Sequence, residues 1–62
     1  MANRRRLISH LTKHGCVLVR EGGKHSIWRN PVTGDVSQVP RHSEIDGKLA
    51  RKICRDLGIP DL

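Results

Sequence analysis

The sequence predicts an α+β domain in which a helix, three antiparallel strands and a second helix follow in order, with both helices on one face of the sheet. Three observations carry this. Apolar residues recur at helical spacing near each end, at Leu7, Ile8 and Leu11 and again at Leu49, Ala50, Ile53, Cys54 and Leu57. Between them lie three short β-branched or alternating segments, each running into a Gly or Pro. The chain has 62 residues, room for one domain with a thin core, so residues 1–62 are read as a single unit.

Asn3 caps a first helix running from about Arg4 to Lys13, and His14-Gly15 ends it. Gly15 suits the position after the cap, where a left-handed backbone is cheap only without a Cβ. Cys16 to Arg20 is apolar and β-branched, and forms the first strand. Glu21-Gly22-Gly23-Lys24 follows as a hairpin turn, with the paired glycines expected to supply positive φ. His25 to Arg29 returns as the second strand. Asn30 to Asp35 is a longer turn, and Val36 to Val39 alternates as the third strand until Pro40 stops its ladder. Arg41 to Ile45 is a short connection. Asp46 caps the second helix, whose apolar stripe is flanked by Lys48, Arg51, Lys52 and Arg55. Gly58 falls after its cap and Pro60 blocks continuation.

Charge narrows the function. Lys and Arg total 12 against six Asp and Glu, a net charge of +6. Residues 1–31 carry seven bases and one acid, whereas residues 32–62 carry five of each, so the whole excess lies in the first half. A concentrated positive field points to a polyanionic partner, nucleic acid or an acidic protein surface, rather than to solubility alone. No stretch approaches the ~20 apolar residues of a membrane helix. The basic start lacks the apolar run of a signal peptide, because Ser9 and His10 interrupt it. A cytoplasmic protein without membrane contact is expected. Cys16 and Cys54 stand in apolar contexts and read as small buried hydrophobes rather than as a disulfide or redox pair.

Alternation along the second strand puts His25, Ile27 and Arg29 on one side and Ser26 and Trp28 on the other. Trp28 is the single aromatic residue, and a thin core gains roughly 2–3 kcal/mol by burying it. It is therefore expected inward, with a base-stacking platform on the open face as the alternative. His25 and Arg29 then face solvent, beside Lys24 and near Arg20, and Ile27 shares that open face. Such a setting suits metal-free RNA cleavage. RNA carries its own nucleophile, the 2′-hydroxyl, and needs only an acid–base group and phosphate neutralisation. Histidine titrates near neutrality, and Lys24, Arg20 and Arg29 would stabilise the phosphorane. On pattern alone, a surface histidine without catalytic duty remains the simpler reading.

The other histidines carry less. His10 and His14 share a helix face, but no second ligand pair stands at zinc-site spacing, so no metal is expected. His42 reads as a loop residue, with a second acid–base role beside His25 as the alternative. No phosphate-binding glycine loop, nucleophile triad or pair of catalytic carboxylates is present.

Read together, several segments resemble the HicA family of toxins, the YcfA-like mRNA interferases. They are the helix ending in Lys13-His14-Gly15, the strand Val17 to Arg20, GGKHSIWRNP at Gly22 to Pro31, VPRHSEI at Val39 to Ile45, and GKLARKICRDLGI at Gly47 to Ile59. Their order and spacing make the resemblance specific, and it spans Arg6 to Ile59. It implies a double-stranded-RNA-binding-domain-like α-β-β-β-α fold and a toxin of a type II toxin–antitoxin system. It further implies an endoribonuclease that cleaves mRNA and arrests translation, without a cofactor. A HicB-type antitoxin would bind the toxin and mask its histidine. The family's catalytic histidine follows a glycine-rich turn and falls on His25, with Arg20, Lys24, Ser26, Arg29 and Arg41 as the expected RNA contacts. This chain differs at the turn, where the family often has Gly-Ser-His-His and here stands Gly23-Lys24-His25-Ser26. Trp28 replaces a usual tyrosine and Lys48 a common threonine. The competing reading is a non-catalytic RNA-binding module that blocks translation by occupancy.

Overall fold

The computed structural model describes residues 2–62. Its elements are β1 (Ala2–Asn3), α1 (Arg4–Lys13), β2 (Val17–Glu21), β3 (His25–Arg29), β4 (Val36–Pro40), β5 (Glu44–Ile45) and α2 (Gly47–Asp56). β2, β3 and β4 form an antiparallel sheet in that order, with β3 central. This is the expected α-β-β-β-α arrangement, consistent with a double-stranded-RNA-binding-domain-like fold.

Both helices begin and end where their caps dictate. The Asn3 side chain accepts the Arg5 N–H at 2.7 Å, and Asp46 accepts the Lys48 N–H at 2.9 Å. At the end of α1, Gly15 has φ +85°, its N–H donates to Thr12 O, and the Cys16 N–H donates to Leu11 O. At the end of α2, Gly58 has φ +70°, its N–H donates to Arg55 O, and the Ile59 N–H donates to Cys54 O. These are paired Schellman closures, and each satisfies carbonyls that the helix leaves open.

The core joins Leu7, Leu11, Cys16, Trp28, Val39, Ile45, Ala50, Ile53, Cys54 and Leu57. Both helices therefore bury their apolar faces against the same side of the sheet, where Ser26, Trp28, Ser37 and Val39 point inward. Trp28 is inward as expected, although its buried Nε1–H has no hydrogen-bond partner among the described residues. Cys16 and Cys54 are free and buried, and burial pushes both thiols up from their ordinary pKa. They behave as small hydrophobes, not as reactive thiols.

The structure departs from expectation in three places. The segment after Pro40 is not merely a connection. Glu44–Ile45 pairs antiparallel with Ala2–Asn3, Ile45 enters the core, and the Arg4 N–H donates to Ser43 O at 2.9 Å. Two-residue strands are too short to show alternation, so no sequence period marks them. Second, Pro40 is itself the last residue of β4, paired with His25, and the Arg41 N–H extends the ladder to Lys24 O at 3.2 Å. Third, Gly22 and Gly23 do not use positive φ, which among the described residues falls on Gly15, Gly34 and Gly58. Gly22 is needed for close approach instead. A Cβ there would lie 3.0 Å from His25 O, which accepts the Gly22 N–H at 2.8 Å.

Asn30 organises the β3–β4 turn from inside. It is buried, donates from Nδ2 to Leu57 O at 2.7 Å and accepts the Val32 N–H at 3.0 Å. One amide thus ties the far end of the sheet to the end of α2 and satisfies an orphan helix carbonyl.

Candidate active site

The site is assembled at the β2–β3 hairpin, the end of the sheet nearest the start of α1. Strand alternation decides what faces outward. His25 and Arg29 are exposed, Ile27 is half-buried, and Ser26 and Trp28 are buried. The partial cover over Ile27 accounts for an apolar residue on the open face.

A polar network fixes the hairpin from behind. Arg4, the first residue of α1, donates from Nε to Pro40 O at 2.9 Å and from Nη2 to Ser26 Oγ at 3.0 Å. The Ser26 hydroxyl in turn reaches Glu21 Oε1 at 3.5 Å. Glu21 lies 3.8 Å from the Arg41 guanidinium, and Arg41 Nη1 donates to Gly22 O at 3.2 Å. The Glu21–Arg41 pair is half-exposed, so it supplies little energy by itself. What the network does is geometric. It closes the loop between Glu21 and Ser26 from both sides, and His25 starts the strand at that closure.

His25 lines a depression together with Gly23, Lys24, Arg41 and His42. A second, shallower surface beside it adds Arg20 and Ile27 to the Gly22–His25 turn. The hairpin thus gathers two imidazoles and three cations, with Glu21 paired to one of those cations. Such a surface can bind a phosphodiester and offer two groups for proton transfer.

The residues expected to contact RNA fare differently. Arg20, Lys24 and Arg41 are brought to His25. Ser26 is not on that surface: it is fully buried, and its hydroxyl is used by Arg4 and Glu21. Its inward position follows from the same alternation that turns Trp28 inward, so it holds the hairpin and presents nothing to a ligand. Arg29 shares the open face with His25 but stands four residues along the strand, about 13 Å away at the usual rise. It therefore lies outside the group of side chains gathered around His25. Sequence reasoning missed Arg4 and Glu21 as positioning residues. Arg4 stands in a run of three arginines that reads as a solvated basic start, and nothing local marks it as the one that turns inward.

His10 and His14 lie elsewhere, with ring centroids 4.6 Å apart and edge-on. His10 Nε2 sits 2.7 Å from Pro60 O, so that pair fastens the C-terminal segment to α1. Among the described residues no three His, Cys, Asp or Glu side chains gather as a metal-ligand group. Among the described residues no helix is long and apolar enough to cross a membrane.

A family model described as the HicA toxin of bacterial toxin–antitoxin systems matches residues 4–59. That span takes in both principal helices, the sheet and the whole hairpin. No characterised protein and no solved structure gives a match.

Proposed function

Because this chain belongs to the HicA family, toxins of bacterial toxin–antitoxin systems, we propose that it is an mRNA-cleaving endoribonuclease whose chemistry centres on His25. The observation that supports this most is the shared depression, in which His25 and His42 stand with Lys24 and Arg41. Its chemistry matches what RNA cleavage by the substrate's own 2′-hydroxyl requires. One imidazole takes the 2′-hydroxyl proton, and the resulting oxyanion attacks the adjacent phosphorus. The bond to the 5′-oxygen breaks, and the other imidazole, protonated, delivers its proton to that leaving oxygen. The products are a 2′,3′-cyclic phosphate and a free 5′-hydroxyl. Lys24 and Arg41 neutralise the extra negative charge of the phosphorane, the step at which fixed cations act most. Every component comes from side chains or substrate, so cleavage is expected to persist in EDTA.

Inhibition follows from the same surface. A HicB-type antitoxin that covers the depression would exclude RNA and neutralise its cations in a single contact. Translation arrest in the cytoplasm would be the outcome when the antitoxin is missing.

The two-imidazole assignment predicts a pH signature. With one imidazole working neutral and the other protonated, kcat/KM rises and then falls as pH increases. His42→Ala should lower kcat/KM about 10²-fold, the low end for one acid–base group, and should remove one limb of that profile. A wild-type bell that survives unchanged in His42→Ala would leave His25 as the only histidine in the reaction. A purified protein that binds RNA and never shortens it would favour action by occupancy instead.

A further inference from the structure

A further concavity shares Arg41 with the first, and its other lining residues have no part in the chemistry above. It is lined by Asn3, Arg4, Arg5, Ile8, Arg41 and Ser43. Three of those six side chains are guanidinium groups, and none is acidic. Arg4 is fixed by its bonds to Pro40 O and Ser26 Oγ. Arg41 is fixed by Gly22 O and lies near Glu21 on its hairpin side. Arg5 is exposed, and among the described residues its guanidinium has no hydrogen-bond partner; only its backbone N–H is taken, by Asn3. Glu21 already pairs with Arg41, which leaves Arg4 and Arg5 as the cations of this concavity without a carboxylate partner among the described residues. Arginine's planar fork is the donor geometry that phosphate accepts best.

Arg41 lines both concavities. Arg41 is therefore the side chain that links the His25–His42 depression to the concavity holding Arg5 and Ser43. We propose that this arginine concavity is a subsite for a backbone phosphate of the RNA flanking the bond to be cut. The assignment rests on the ribonuclease reading for the word flanking, but the RNA contact itself does not need cleavage. In this arrangement Arg41 straddles two successive stretches of the strand, and Arg5 closes on the outer one. Arg5 sets affinity and register on longer RNA and takes no part at the scissile phosphate. An acidic segment of an antitoxin would meet the same cations, but the sharing of Arg41 with the cleavage depression favours the RNA strand.

The test separates the subsite from the chemistry. RNA binding is measured with His25→Ala protein, so that nothing is cut, using a short single-stranded RNA over a salt series. Adding Arg5→Ala should weaken binding roughly five- to tenfold and reduce the slope of log affinity against log salt by about 0.7, the value for one phosphate contact on a single strand. Arg5→Lys should restore the slope and part of the affinity, because it keeps the charge and loses the fork. In otherwise wild-type protein, Arg5→Ala should raise KM on that RNA with little change in kcat. It should leave kcat/KM unchanged on a dinucleoside monophosphate, which carries only the scissile phosphate. Unchanged RNA affinity and salt slope would overturn the subsite, as would an equal loss of kcat/KM on both substrates. Weaker antitoxin binding with RNA binding intact would assign the concavity to the antitoxin and also overturn it. A wild-type protein that cuts no RNA, with the Arg5 effect on binding present, would sink the ribonuclease reading and leave a phosphate subsite standing.

Discussion

His25→Ala is expected to lower RNA cleavage by roughly 10²–10⁴-fold, the range for removing a positioned acid–base group, and to release growth arrest when the toxin is produced without its antitoxin. The expected size follows from what is removed. The imidazole is lost, while Lys24, Arg20 and Arg41 remain to bind the phosphate. Affinity for RNA should accordingly change far less than turnover. The fold should not change, since His25 is exposed and what anchors the turn is its backbone carbonyl, which accepts from Gly22 whatever the side chain. Unfolding measured by circular dichroism should give the wild-type midpoint. An inactive variant with a lowered midpoint would attribute the loss to folding, and a variant that cuts at the wild-type rate would remove His25 from the reaction.

The largest expected effect on stability comes from Leu11→Ala. Leu11 is fully buried in the core, and its carbonyl accepts the Cys16 N–H that closes α1. Truncating a buried leucine costs about 2–5 kcal/mol, because transfer energy is lost and a cavity remains. A core in a chain of this size rarely supplies more than roughly 3–5 kcal/mol in all. Leu11→Ala should therefore be largely unfolded at room temperature, whereas Leu11→Met, nearly equal in volume, should remain folded with a cost below about 1.5 kcal/mol. Denaturant titration of the two variants reads this directly. A Leu11→Ala protein with a wild-type transition would mean that α1 is not integral to the core.

Much of this architecture was legible because its signals are local. The caps Asn3 and Asp46, the left-handed Gly15 and Gly58 and the apolar stripes all lie within one helix and its flanks. The alternation that sends Trp28 inward and His25 outward spans five residues. What the sequence could not display is contact between distant segments. Arg4 reaches Ser26 across 22 positions and Pro40 across 36, and no spacing rule links them. For that reason Ser26 looked like a ligand contact when it is a buried strut. The pairing of Glu44–Ile45 with Ala2–Asn3 is hidden for the same reason. That pairing and the bend after Pro40 belong to the segment carrying His42, which brings a loop histidine to His25. The double glycine was recognised as a turn, but for the wrong cause: Gly22 is required by the nearness of His25 O, a distance that only the folded hairpin defines. The family assignment reached His25 by resemblance, whereas geometry adds which cations stand beside it and which, Arg29, do not.

The most direct test of a side-chain-driven transesterification at His25 is the chemistry of the cut ends. RNA cleaved by purified protein in EDTA should carry 2′,3′-cyclic phosphate and 5′-hydroxyl termini. A substrate with a single 2′-deoxy sugar on the 5′ side of the cut should resist at that bond. Termini bearing 5′-phosphate and 3′-hydroxyl, or cleavage of the 2′-deoxy bond at the normal rate, would make water the nucleophile and contradict the account.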